Sequence, residues 1–172
     1  MELRFVVPEL SKLDQVGTEV LALGLFSDAR PPSGVAGLVD WRSAGRLSRV
    51  LLGGRVTGEL GEVLMLPGKP GLPFDKVVLF GAGKKSELDE SVFAALIERM
   101  LATAEGLRTR NLVAELPGRH TDMIAPERAA SILLEAAQGK PEHDTWTLVE
   151  GLAAQRSIAK HLQEQRRRAR RE

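Results

Sequence analysis

A chain of 172 residues with 43% hydrophobic side chains has the length of one domain and enough apolar material for a real core. Its net charge of +1 gives no global pull toward nucleic acid, and the lack of cysteine excludes disulfides, thiolate zinc sites and cysteine nucleophiles. The amino terminus, MELRFVVPEL, has neither the basic start nor the apolar run of a signal peptide, and no segment approaches the ~20 apolar residues that span a bilayer. A soluble, cytoplasmic protein without membrane attachment is expected. The charge is unevenly spread: residues 160–172 hold six Lys/Arg and two Asp/Glu, a local +4.

In chain order, residues 3–7 read as a short strand stopped by Pro8, and residues 18–26 as a second strand with Gly24 inside it. Pro-Pro and Ser-Gly mark residues 28–34 as a loop. One helix is expected next, because Val35, Leu38, Val39, Leu47, Val50 and Leu51 recur at helical spacing before Gly53-Gly54. Residues 62–66 and 76–80 read as strands around a turn-rich loop at 67–73. A strong helix follows, with Val92, Phe93, Leu96, Ile97, Met100 and Leu101 as its apolar stripe and Ser86 with Asp89 as a capping pair. Residues 111–116 form a strand, and Pro126 opens a helix that Gly139 ends. The last strand is 145–149, and a polar helix runs from about residue 151 into the arginine-rich tail. Two segments result: a body over residues 1–150 and a helix with basic tail over 151–172. Alternating strands and helices imply a three-layer α/β domain with helices on both sheet faces. No helix is expected between the first two strands, so the sheet is read as mixed.

The stretch FDKVVLFGAGKKSELDE invites a phosphate-loop reading that its spacing refuses. G-x-x-x-x-G-K-[ST] needs glycine where Val78 stands and Ser or Thr where Lys85 stands. The dinucleotide pattern fits Gly81 and Gly83 but meets Ser86 at its third place. Glycines that let a central strand turn into a helix at positive φ are the favoured reading. Anion contact through the amides or Lys84 is the alternative. His120, His143 and His161 form no i, i+4 pair, and His120-Thr121-Asp122 reads as a solvated loop rather than a zinc site. No G-x-S-x-G elbow is present. Trp41 and Trp146 read as core or interface anchors. The tail EQRRRARRE reads as a solvated helix end, with weak nucleic-acid contact as the alternative.

The run FDKVVLFGAGKKSELDESVFAALIERM, preceded by GVAGLVDWRSAGRLSRVLLGGRVTGELGEVLML, resembles the N-terminal domain of the leucyl (cytosol) aminopeptidases over about residues 18–152. LVEGLAAQRSIAKH resembles the helix that leads into their catalytic domain. The resemblance implies a macro-domain-like fold with a mixed sheet of about six strands between helices. It also implies that the family's two divalent metals belong to a C-terminal domain whose Asn-Thr-Asp-Ala-Glu-Gly-Arg motif is absent here. No catalytic residue, metal ligand or cofactor is therefore carried over to this chain. Ligand-binding macro domains carry an Asn-Ala-Ala-Asn strand end, replaced here by Leu25, Phe26, Ser27 and Asp28. Asp28 reads as a turn residue, with ligand contact as the alternative. The expected small-molecule crevice lies beyond the strand ends, lined by Ser27, Asp28, Gly34, Val35, Gly81 and Gly83, with Lys84 beside it. Three functions follow from the resemblance. The first is a non-catalytic assembly or regulatory module, partnering itself or an aminopeptidase catalytic domain. The second is a module binding a nucleotide or ADP-ribose-type ligand. The third is one half of a split metallo-aminopeptidase.

Overall fold

The computed structural model describes residues 1–170. Six strands form one sheet in the order β1-β6-β5-β2-β4-β3. They are β1 (Glu2–Val6), β2 (Val20–Phe26), β3 (Val63–Pro67), β4 (Lys76–Gly83), β5 (Asn111–Glu115) and β6 (Thr145–Val149). All neighbours run parallel except β3, which pairs antiparallel with β4. The sheet is mixed, as expected, but for a different reason. β1 and β2 are not neighbours, and a four-residue helix, α1 (Leu10–Leu13), lies between them in the chain.

The central strand β2 carries no polar side chain because the sheet is covered on both faces. Successive side chains point to opposite faces, so Val20 and Ala22 of β2 meet one cluster while Leu21, Leu23 and Leu25 meet another. The first cluster packs under α4 (Glu90–Gly106) and α5 (Pro126–Ala136) through Phe93, Ile97, Leu101, Ile132 and Leu133. The second packs under α2 (Gly34–Arg42) and α3 (Arg46–Leu52) through Val35, Val39, Leu47 and Leu51. The single helix expected over these residues is thus two. Ala44 and Gly45 adopt left-handed backbone (φ 52 and 76) and break the run, while the Asp40 side chain ties Ser48 back across the break. At α4, Asp89 alone caps the helix by accepting from the Val92 amide at 2.8 Å; Ser86 lies in a preceding 3-10 turn and takes no part.

The last helix, α6 (Leu152–Ala169), packs beside α5. Ile158 is its buried anchor, with His161 and Leu162 half-buried and everything beyond exposed among the described residues. Trp146 is fully buried in the first cluster, whereas Trp41 is 73% exposed and belongs to no core. No helix is long and apolar enough to cross a membrane among the described residues.

Candidate functional site

Because β2, β4, β5 and β6 run parallel, their carboxyl ends share one edge of the sheet, where ligands of open α/β sheets collect. Two of those ends carry carboxylates. Glu115 closes β5 and Glu150 follows β6, and both are buried.

Glu115, only 4% exposed, accepts the Val35 amide with both oxygens, at 3.2 and 3.1 Å. Its charge therefore sits on the first turn of α2, where the unpaired amides and the helix dipole favour an anion. Burial nonetheless dominates and pushes the Glu115 carboxyl up to about 7, opposed by the Val35 amide and reinforced by Glu150. Gly34 is required at this junction. Its φ is +62, and a Cβ there would lie 2.5 Å from Glu115 Oε1 and 2.8 Å from the His120 ring.

His120 lies on a 3-10 turn, Arg119–Thr121, after the left-handed Gly118. Its Nδ1 is 3.6 Å from Glu115 Oε1 and its Nε2 is 2.9 Å from Ser33 Oγ. Burial and the nearby Lys85 ammonium hold His120 below its usual range. It is not the solvated loop histidine expected from sequence, because the turn folds it back over the β5 end. Next to it, Arg119 is 3% exposed and forks onto Glu150 at 2.7 and 3.0 Å. Arg119 also donates to Asp122 and to the Ile124 carbonyl, which fixes the turn. Burial raises Glu150, and the arginine opposes that rise.

A cleft of about 720 Å³ opens here, bordered by Leu38 of α2, His120, Glu150, and Ala154 and Ser157 of α6. Of the seven residues expected from sequence, Gly34 lines it, and Val35 lies directly behind through its bond to Glu115. The other five gather elsewhere. The Ser27 amide donates to the Gly83 carbonyl at 2.9 Å, and Asp28 accepts from the Lys85 amide at 3.1 Å. Lys84 precedes the 3-10 turn that Lys85 opens. Gly81 and Gly83 do not form a loop after the strand but continue β4 itself. Their amides donate to the Glu62 and Gly58 carbonyls at 2.8 and 2.9 Å and so are spent on backbone pairing. Gly81 is small because the Glu59 carbonyl passes over it, 2.0 Å from where a Cβ would stand. Gly81 thus serves backbone packing on this side of β4, whereas Gly83, with φ +71 and no atom nearer than 3.7 Å to a Cβ, is glycine for the left-handed backbone expected from sequence.

Sequence reasoning missed Glu115, Arg119, His120 and Glu150 as a group. The available signal was a carboxylate closing an otherwise apolar strand twice over, in LVAEL and TLVEG.

Residues 22–140 match the model of the Cytosol aminopeptidase family, N-terminal domain. The chain belongs to this family. A probable cytosol aminopeptidase from Haemophilus ducreyi is 30% identical over 118 residues, covering 69% of this chain and 23% of the relative. The cytosol aminopeptidase of Pseudomonas aeruginosa is 36% identical over 102 residues, covering 59% and 19%. The chain therefore spans about a fifth of the length of these curated relatives. In fold it is similar to a tomato leucine aminopeptidase mutant, with TM-score 0.64 at 16% identity, covering 94% of this chain and 35% of that one. It is also similar to the Trypanosoma brucei macrodomain in complex with ADP, with TM-score 0.70 at 14% identity, covering 94% and 69%. These likenesses establish the macrodomain-like α/β fold of this cytosol aminopeptidase N-terminal domain. The divalent metals that the family implies do not fit the residues present. No group of three His, Cys, Asp or Glu is placed to hold an ion among the described residues.

Proposed function

We propose that this cytosol aminopeptidase N-terminal domain is an assembly or regulatory module that takes no part in metal-dependent peptide hydrolysis, and that it acts in the cytoplasm. The observation that carries this reading is the free edge of β3. Among the described residues the strand pairs only with β4, and its residues Val63 and Met65 are exposed, with Leu60 close by in the chain. An unpaired strand edge bearing apolar side chains is a template for another chain. The partner is a second copy or an aminopeptidase catalytic domain. Sedimentation velocity tests it: the chain should associate with itself or with such a domain, and Val63→Lys with Met65→Lys should weaken that association. A chain that stays monomeric and leaves the catalytic domain unbound would refute the reading.

The cleft supports a second reading, a small-ligand module. It does not favour an ADP-ribose-type ligand. Glu115 already occupies the anion position on α2, and Glu150 and Asp122 border the same space. Calorimetry with ADP-ribose should give weak binding or none. A micromolar constant abolished by Asp28→Ala would restore the crevice expected from sequence.

A further inference from the structure

We propose that Ser33, His120 and Glu115 form a metal-free nucleophilic site that hydrolyses small carboxylic esters. The three groups stand in series: Ser33 Oγ is 2.9 Å from His120 Nε2, and His120 Nδ1 is 3.6 Å from Glu115 Oε1. The first distance is a hydrogen bond. The second is an ion-pair separation, of the kind that shortens once substrate is bound. Burial deepens along the series from an exposed hydroxyl, through an imidazole whose side chain is 17% exposed, to a carboxylate at 6%. That gradient places the nucleophile at the solvent and the orienting carboxylate, ionised above about pH 7, in low dielectric beside the imidazole.

Two further observations separate this arrangement from an ordinary surface serine. Ser33 holds the N-cap position of α2, yet its side chain makes no capping bond. The capping is done from outside, by Glu115 on the Val35 amide. The serine hydroxyl is thereby released from its usual duty and turned to the imidazole. The same carboxylate fixes the helix turn that follows the nucleophile and faces the base. Gly34 supplies the clearance: any larger residue would enter both the carboxylate and the imidazole. The arrangement fits the general logic of nucleophile, base and orienting acid, which recurs on unrelated folds without a fixed sequence motif.

The reaction balances without a cofactor. Ser33 Oγ attacks the acyl carbon, and its proton passes to His120 Nε2. The tetrahedral adduct collapses, the ester C–O bond breaks, and the leaving alcohol takes the proton from His120. A water molecule, deprotonated by His120, then attacks the acyl-serine; the acyl–Oγ bond breaks, Ser33 Oγ takes the proton back from His120, and the carboxylic acid is released. The amide of Gly34 stabilises the negative oxygen of each adduct. Leu38, Val149 and Ala154 in the adjoining cleft suit a short apolar acyl group. Glu115 touches no substrate and is a positioning residue.

The test uses the full chain with p-nitrophenyl acetate and a fluorophosphonate probe, in the presence of a chelator. The expected result is chelator-insensitive ester hydrolysis with the probe attached to Ser33 by mass spectrometry. Ser33→Ala and His120→Gln should each lower kcat by about a hundredfold. Glu115→Gln should lower kcat while leaving KM unchanged. Ser33 is exposed, so circular dichroism should show S33A fully folded. The proposal is overturned by hydrolysis that persists in S33A, by chelator-sensitive hydrolysis, or by a probe that labels another residue or none. The assembly reading does not depend on this outcome, since sedimentation decides it separately.

Discussion

At the scale of single residues, Glu115 is held where its ionised form costs stability. Its folded value of about 7 lies above the ordinary 4.5. A carboxyl raised in this way contributes stability fully below about pH 4.5, and the contribution is lost as pH rises through about 7. The loss is roughly 3 kcal/mol. Glu115→Gln keeps an acceptor for the Val35 amide and removes the charge. Its melting temperature should therefore exceed the parent's at pH 8 and match it near pH 4.5. Thermal melts at the two pH values check this, and a variant less stable at pH 8 would contradict it. Gly81 makes the opposite kind of prediction. A Cβ there would meet the Glu59 carbonyl at 2.0 Å, and backbone cannot move aside as a flexible side chain can. Gly81→Ala should cost about 2 kcal/mol or more in denaturant unfolding. The need for glycine at 81 and 83 was visible in the sequence, and so was the positive φ that Gly83 adopts; the reason at 81 was not. A strand end followed by Gly-Ala-Gly looks like a loop until the chain at 58–62 is known to lie across it. The role of Glu115 and Glu150 was hard to read for a similar reason, although each closes an apolar run in the sequence. Each is one carboxylate beside a turn, and their importance arises only from the pairing of β5 with β6 and the arrival of α2 from elsewhere in the chain.

At the scale of elements, apolar periodicity located nearly every helix and strand, because both sheet faces are covered and each helix buries one stripe. It failed at the joint of α2 and α3, where Ala44 takes a left-handed backbone that its side chain does not advertise. It also misaligned α6. Leu152 and Ala159 share a face with Ile158 and Leu162 by spacing, yet Leu152 is 61% exposed and Ala159 is exposed too. The docked face instead runs through Ala154, Ile158, His161 and Leu162, with His161 Nε2 bonded to Ser131 Oγ of α5 at 3.1 Å. Ile158→Asp should lower stability by about 3 kcal/mol, since it buries a charge and removes an anchor. Leu162→Asp should lower it less. Deleting residues 165–172 should leave the melting temperature nearly unchanged. A deletion that unfolds the domain while Ile158→Asp is silent would place the anchor in the arginines.

At the scale of the whole molecule, the chain should not hydrolyse leucyl-p-nitroanilide with added manganese or zinc. Turnover that requires metal and disappears on mutating the chain's own carboxylates would overturn the assembly reading. The α/β layering was legible because strands and helices alternate in the sequence. The strand order was not, since it depends on contacts between segments far apart. β1 is the extreme case: its partner is β6, nearly the whole chain away. During synthesis the first strand therefore emerges long before anything can pair with it, and Leu3 and Phe5, half-buried in the finished domain, remain uncovered until residues 145–149 have left the ribosome. Closing that pair is a late and entropically demanding step. Until it happens, β6 of one unfinished chain can accept β1 of another, so crowded nascent chains are expected to exchange their first strands.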